Sequence, residues 1–128
     1  MIGYVTLGTN DIAAARKFYD ALLGSIGAKR LMEFGDFTMW GVSFDTPGIA
    51  LTPPYDKGKA TAGNGNMVAI TLDTRAKVDA MHKLALELGG SDEGAPGLRG
   101  DEGPQAFYAS YCREPDGNKF CAFRMGPA

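Results

Sequence analysis

Apolar and polar positions follow two different periods along the chain, and the order in which these periods occur predicts the secondary structure. Residues Ile2–Leu7 form a short β-rich run that leads into the turn Gly8-Thr9-Asn10-Asp11. From Ile12 the apolar residues recur every 3.6 positions, as in a helix with one buried face, and Gly24 and Gly27 mark its end. Three strand-like runs follow at Lys29–Phe34, Phe37–Phe44 and Ile49–Thr52.

The same order then restarts. A polar stretch rich in Gly and Pro, residues 53–66, predicts a connecting loop, and Met67–Asp73 predicts a strand. Thr74 is suited to cap a second helix, which ends at Gly89-Gly90. Residues 91–105 hold Gly, Pro and acidic residues and predict a second long loop. Two final strands are predicted at residues 107–113 and 119–125, joined by the turn sequence Glu114-Pro115-Asp116-Gly117-Asn118.

The two halves match when they are aligned from Tyr4 to Met67, an offset of 67 − 4 = 63 residues. Asp11 then falls on Thr74, so the spacing from strand to helix cap is the same in both. The repeat predicts a single pseudo-symmetric domain over residues 1–128, with module one at about 1–55, module two at about 67–128, and a groove between the halves. A single ferredoxin-like unit would use fewer strands.

Composition and charge exclude several classes of protein. A net charge of −2 without a basic run argues against nucleic-acid binding. The apolar runs, about five residues at most, are too short to span a membrane, and Met1–Leu7 lacks the features of a signal peptide, which predicts a cytoplasmic protein. Cys112 and Cys121 are therefore expected to be reduced thiols. The single histidine, His82, excludes a metal site that needs two imidazoles from this chain.

Several motifs, in this order and spacing, resemble the vicinal oxygen chelate superfamily, which includes glyoxalase I, bleomycin-resistance proteins and extradiol dioxygenases. They are the segment 4–11, Phe18-Tyr19, Leu23-Gly24, Gly63-Asn64-Gly65-Asn66, Val78–His82 and the segment 114–119. The resemblance covers essentially the whole chain. It implies an α+β fold of two βαβββ modules that form a cup-shaped mixed sheet with the helices outside, usually in a dimer.

The resemblance also implies where a metal ion would be held. Metal-dependent members use His, Glu or Gln side chains at positions that here are Tyr4, Met67 and Cys121, and a further ligand near Ile49–Thr52, where this chain has no His or carboxylate. A phenol, a thioether and a single thiol are poor ligands for Mg²⁺, Mn²⁺, Ni²⁺ or Zn²⁺. We therefore expect no metal cofactor, and we regard Tyr4, Met67 and Cys121 as pocket candidates.

Other candidates come from the predicted strands and loops. Trp40 and Tyr111 lie on strands and either line a cavity or belong to the core. Arg99 lies in the long loop at 91–105, which is either a lid that brings Arg99 to an anionic substrate group or a solvated surface excursion. No catalytic residue is identified.

Three hypotheses for function remain open at this point. The first is a metal-free protein that binds a small organic molecule of unknown identity in the cup between its modules, as bleomycin-resistance proteins do. The second is an enzyme of glyoxalase or dioxygenase type with a divalent metal on other residues, such as Glu33, Asp36 or Asp45. The third is a dimer module without a ligand.

We predict a homodimer, because members of this superfamily usually complete their open sheet edges with a partner chain. Sedimentation velocity at micromolar protein concentration tests this prediction. A sedimentation coefficient of a dimer is expected, and a monomer over the whole concentration range would contradict it.

Overall fold

The computed structural model describes all 128 residues and divides them into two compact units, Met1–Gly63 and Asn64–Ala128. Each unit contains one helix and one mixed four-stranded sheet. The first unit contains β1 (Tyr4–Gly8), α1 (Ile12–Gly24), β2 (Lys29–Phe34), β3 (Phe37–Gly41) and β4 (Gly48–Thr52). The second contains β5 (Val68–Thr71), α2 (Arg75–Glu87), β6 (Ser91–Leu98), β7 (Phe107–Arg113) and β8 (Lys119–Met125).

The two sheets have the same topology. The strand order is β1-β4-β3-β2 in the first and β5-β8-β7-β6 in the second. In each sheet the first and last strands of the unit run parallel, and the other neighbours are antiparallel. The prediction of two βαβββ modules is therefore confirmed. Neither helix is long and apolar enough to cross a lipid bilayer.

One predicted loop is largely a strand. Residues 91–98 form β6 and pair with β7, so the irregular segment shrinks to residues 99–106. The pattern of the sequence hides this strand because Gly94, Pro96 and Gly97 all have low β-propensity. As an edge strand, β6 tolerates the proline, and its register shifts on either side of Gly94. Backbone pairing with β7 thus makes residues 91–98 a strand, although their side chains do not favour one.

Other boundaries differ less. The strand expected at Phe37–Phe44 ends at Gly41, and the exposed Val42 and Phe44 belong to the following turn. The helix caps agree with expectation: Asp11 Oδ1 accepts from the backbone N–H of Ala14 (3.1 Å) and Thr74 Oγ1 from that of Lys77 (3.1 Å). Each satisfies one of the free N–H groups in the first turn of its helix.

Asn10, in the turn before α1, fixes the connecting segment to the first unit. Its Oδ1 accepts from the N–H of Ala60 (2.8 Å), and its Nδ2 donates to the carbonyl of Ala60 (3.1 Å). Gly8 allows this close approach, because a Cβ there would lie 3.1 Å from the Cβ of Ala60. The polar segment 53–66 is therefore held at Ala60 by side chains of the first turn.

The turn between β7 and β8 is stabilised by its own buried carboxylate. Glu114 is 2% exposed, and its Oε1 accepts from the N–H of Asn118 (2.9 Å). Gly117 has a φ of 92°, in the left-handed region that favours glycine. The sequence Glu-Pro-Asp-Gly-Asn therefore determines this hairpin locally, as its turn chemistry predicts.

The core of the first unit lies between α1 and its sheet. Helix residues at the predicted spacing are buried, among them Phe18, Tyr19 and Leu22. Trp40 of β3 is 1% exposed; its ring centroid is 5.2 Å from that of Tyr19, and its Nε1 donates to Asp20 Oδ1 (2.8 Å). Arg30 of β2 pairs with both oxygens of the same carboxylate (2.9 and 2.8 Å). Asp20 thus connects the helix to two strands.

We predict that Asp20→Asn lowers the free energy of unfolding at neutral pH by about 1–2 kcal/mol, through loss of charge-assisted hydrogen bonds. The hydrogen bond from Arg30 lowers the pKa of Asp20, so the stabilisation is present above the ordinary aspartate pKa and disappears as the pH falls through the folded-state value. The difference between wild type and variant should therefore shrink below about pH 4. Urea unfolding at a series of pH values measures it.

Asp36→Asn, in the β2–β3 turn, removes the same charge without touching this network and is the matched control. A constant difference between wild type and Asp20→Asn across the acid range would contradict the assignment.

Candidate functional site

Each sheet has one face covered by its helix and one face that the helix leaves free. In the first sheet, Thr38 and Trp40 face α1, since Thr38 Oγ1 accepts from Arg16 Nε (2.9 Å) and Trp40 bonds Asp20. In the second sheet, the hydroxyl of Tyr108 donates to Asp79 of α2 (2.6 Å). Because side chains alternate along a strand, residues of the opposite parity form what we call the helix-free faces.

Tyr4 lies on the helix-free face of the first sheet. Its ring meets that of Phe37 edge-on, with centroids 6.1 Å apart and planes at 79°. Tyr4 is 54% exposed, so its hydroxyl and much of its ring are accessible within this unit. Phe34, next to Phe37 at a centroid distance of 6.5 Å, is also exposed. The part of this face around Tyr4 and Phe34 is therefore aromatic and exposed, whereas Met39 and Ala50 on the same face are buried.

Cys121 and Tyr111 face each other on the helix-free face of the second sheet. They are directly opposed in the β7–β8 register, and the Tyr111 hydroxyl lies close enough to the Cys121 sulfur to lower the pKa of the thiol. Ala69 of β5 is the neighbour of Cys121 on its other side. Met67 precedes β5 by one residue and is 45% exposed, and alternation places it on the same side as Ala69.

Two cations accompany this pair. The guanidinium of Arg99 lies 5.4 Å from the ring centroid of Tyr111, and the ammonium of Lys119 lies 5.5 Å from it. Both are close enough to Cys121 to lower the pKa of its thiol. We call the four residues Arg99, Tyr111, Lys119 and Cys121 the Tyr111 cluster.

The electrostatics of the cluster keep its acidic groups protonated at neutral pH. Burial raises the pKa of Tyr111. Burial also raises the pKa of Cys121, and the hydrogen bond from Tyr111 and the two cations offset only part of that effect. A thiol in this state is a weak nucleophile. The cluster is therefore suited to hydrogen bonding and to holding negative charge rather than to thiolate chemistry.

Cys112, the other thiol, lies on the opposite face of the same sheet. It pairs with Phe120 in the β7–β8 register, so it points toward α2 and away from Cys121. It borders a small, mainly apolar cavity with Met81 and His82 of α2. Burial raises the pKa of Cys112 to about 11. The register thus excludes a Cys112–Cys121 disulfide within this unit, because the two side chains project from opposite faces.

His82 is a buried histidine of the α2 interface. It is 7% exposed, and its Nε2 lies 3.2 Å from Asp92 Oδ1 of β6. It lies on the helix side of the sheet, whereas the side chains of the Tyr111 cluster project from the other face. Its position between helix and edge strand indicates a structural role.

Trp40, a pocket candidate by sequence, is a core residue of the first unit instead. It lies on the helix-covered face, and Tyr19 and Asp20 occupy its surroundings. Of the alternative metal ligands, Glu33 is hydrogen-bonded to Arg30 (2.7 Å). Nowhere in the chain do three His, Cys, Asp or Glu side chains lie together as metal ligands would. Asp36 and Asp45 therefore belong to no group that could hold a metal ion.

The comparison with protein families agrees with this architecture. The family model described as the Glyoxalase/Bleomycin resistance protein/Dioxygenase superfamily matches residues 1–122. The chain belongs to this superfamily.

Solved structures of the superfamily resemble this chain over nearly its whole length. A glyoxalase/bleomycin resistance protein from Albidiferax ferrireducens T118 is 32% identical, with a TM-score of 0.85, and the match covers 97% of this chain and 98% of that chain. A glyoxalase/bleomycin resistance protein/dioxygenase family enzyme from Burkholderia phytofirmans PsJN is 20% identical (TM-score 0.73; 95% and 96% covered). No curated protein matches the sequence.

A lactoylglutathione lyase from Agrobacterium tumefaciens is 19% identical, with a TM-score of 0.67, and the match covers 97% of this chain and 92% of that chain. At this identity the likeness shows the fold alone. The function of the present chain therefore depends on the chemistry of its own side chains.

The structure adds three residues to the candidates that sequence reasoning found. Lys119 joins Tyr111 and Arg99, and Phe107 and Phe123 stack on the same face with centroids 5.4 Å apart. The sequence could have indicated Lys119, because it lies two residues before Cys121 on the same strand and therefore projects from the same face. Its position over Tyr111 depends on the β7–β8 register, which the sequence does not display.

We predict that Tyr111→Phe raises the pKa of Cys121 further, because the hydrogen bond that stabilises the thiolate is lost. The measurement is thiolate ultraviolet absorbance against pH in a Cys112→Ser background, so that only Cys121 titrates. Tyr108→Phe, which removes a hydroxyl from the other face of the sheet, should leave the titration unchanged. An unchanged or lower pKa in Tyr111→Phe would exclude the hydrogen bond.

Proposed function

We propose that this member of the superfamily binds a small organic molecule without a metal ion, and that the Tyr111 cluster and the aromatic helix-free faces supply the contacts. The two helix-free faces hold the residues at which the resemblance implies metal ligands: Tyr4 on one, Met67 and Cys121 on the other. That these faces form one cup stays a prediction.

The observation that carries this proposal is the charge around Cys121. Arg99 and Lys119 lie 5.4 and 5.5 Å from the ring centroid of Tyr111, which is opposite Cys121 in the β7–β8 register, and neither cation takes part in an ion pair. Two positive charges beside a protonated thiol oppose the approach of a divalent cation, whose own charge would add to theirs. A thiol, a phenol and a thioether also lack the hard oxygen or imidazole donors that such ions prefer.

Aromatic side chains on each of the two helix-free faces favour the binding of an organic molecule. Tyr4 is half exposed beside Phe37, and the Phe107–Phe123 pair lies beyond Tyr111 on its sheet. Aromatic and apolar side chains with a few polar groups are the usual composition of small-molecule sites. A ligand held here would gain both apolar contact and specific hydrogen bonds.

We expect protein purified without added metal to contain well below one equivalent of Ni, Zn, Fe or Mn by elemental analysis. Its unfolding temperature should not change with a chelator, since a metal bound to the native state would stabilise it. Near-stoichiometric metal, or a large destabilisation by chelator, would contradict the proposal.

Binding is tested by measuring the unfolding temperature of the protein in the presence of each compound of a panel of neutral and anionic aromatic compounds. At least one compound should raise it in proportion to the logarithm of its concentration. Tyr111→Ala should weaken that effect, whereas Tyr55→Ala, a matched change at a fully exposed tyrosine, should not. No stabilisation by any compound would contradict the proposal.

A further inference from the structure

The Tyr111 cluster contains two positive charges without a negative partner. Four of the five other Lys and Arg side chains of the second unit have a carboxylate partner. Arg75 binds Glu102, for example, and Arg113 Nε donates to Glu93 Oε1 (2.5 Å). Arg99 and Lys119 instead lie over one tyrosine ring. A tyrosine face attracts cations by its quadrupole but carries no net charge, so the local excess of positive charge remains.

Arg99 follows β6 directly and is held in place by the backbone of that strand. Its Nη1 donates to the carbonyl of Gly97 (2.9 Å) and its Nη2 to the carbonyl of Ala95 (2.7 Å). A guanidinium has five N–H donors, so three remain for another acceptor. The side chain is therefore oriented before any ligand arrives, which reduces the entropy lost on binding.

Two glycines make room for this arrangement. A Cβ on Gly97 would lie 3.3 Å from Arg99 Nη1, and a Cβ on Gly94 would lie 3.3 Å from Arg99 Nη2 and 3.0 Å from Tyr111 Cδ2. Side chains here would displace the guanidinium or the ring. The glycines that weaken β6 as a strand thus form a cradle that leaves room for the Arg99 guanidinium beside Tyr111.

We propose that the Tyr111 cluster is a subsite for the carboxylate of an organic acid, with Arg99 and Lys119 as its binding groups. Planar carboxylates match the fork of a guanidinium and form short, charge-assisted hydrogen bonds with it. The Phe107–Phe123 pair on the same face then receives the apolar body of the acid. This inference rests on the proposed function and narrows its ligand class to small carboxylates with an apolar or aromatic part.

Benzoate is the probe, and benzamide is its neutral counterpart of nearly equal shape. Isothermal titration calorimetry should show benzoate binding at least about tenfold more tightly than benzamide, because one charge-assisted contact of about 1.4 kcal/mol gives this ratio. Benzoate affinity should fall as salt concentration rises, and benzamide affinity should not. Equal binding of the two, or no binding of benzoate, overturns the proposal.

Variants then assign the binding to these residues. Arg99→Gln and Lys119→Gln should each weaken benzoate about tenfold and leave benzamide unchanged. Arg124→Gln removes the same charge from the helix-covered face of β8 and should have no effect. Equal losses in all three variants would show a general effect of net charge and overturn the subsite.

The cradle has its own test. Gly97→Ala keeps every charge but displaces Arg99, so it should weaken benzoate several-fold, whereas Gly3→Ala, which adds a methyl group in open space, should not. Circular dichroism and the unfolding temperature establish that each variant is folded. If benzamide stabilises the protein and benzoate does not, the carboxylate subsite fails while the metal-free binding function stands. Stoichiometric metal would instead refute the function itself.

Discussion

The parallel pairing of the first and last strand in each unit is the constraint on which the rest of this structure depends. Parallel neighbours cannot be joined by a tight hairpin, so the chain between them needs a long crossover, which here consists of a helix and two more strands. In the first unit this pairing aligns Tyr4 with Gly48, and in the second Val68 with Phe120. It fixes which face of each sheet the helix covers and therefore which side chains pack against the helix.

Alternation along the strands then divides the chemistry between the two faces. On the covered faces lie Trp40, bonded to Asp20, and Cys112, against α2. On the helix-free faces lie Tyr4 and the Tyr111 cluster. Cys112 and Cys121 are nine residues apart on adjacent strands, yet they project in opposite directions because their positions differ in parity. The same rule that builds the core thus separates a buried thiol from the candidate site.

Much of the fold follows from local chemistry. The helix periods, the Asp11 and Thr74 caps and the turn at Gly117 are each determined within a few residues, and all of them were predictable. Strand β6 was not, because its glycines and proline oppose a strand and only the neighbouring β7 backbone imposes one. Whether Trp40 lines a cavity or belongs to the core stayed open for a similar reason, since an aromatic residue on a strand fits either face equally well until a helix packs on one of them.

The candidate site shows the same division. Tyr4, Met67, Cys121, Tyr111 and Arg99 were found from the sequence, through resemblance and residue type. The grouping of Cys121, Tyr111 and Arg99 with Lys119 was not, because the β7–β8 register brings Lys119 and Tyr111 together and the bulged β6 brings Arg99 over the ring.

The sequence alone thus determined the repeated order of elements and the absence of good metal donors at the superfamily's ligand positions, since both depend on residue types and short spacings. The tertiary structure decided that two cations share one tyrosine and a thiol, because such contacts depend on strand register, which joins residues distant in the chain.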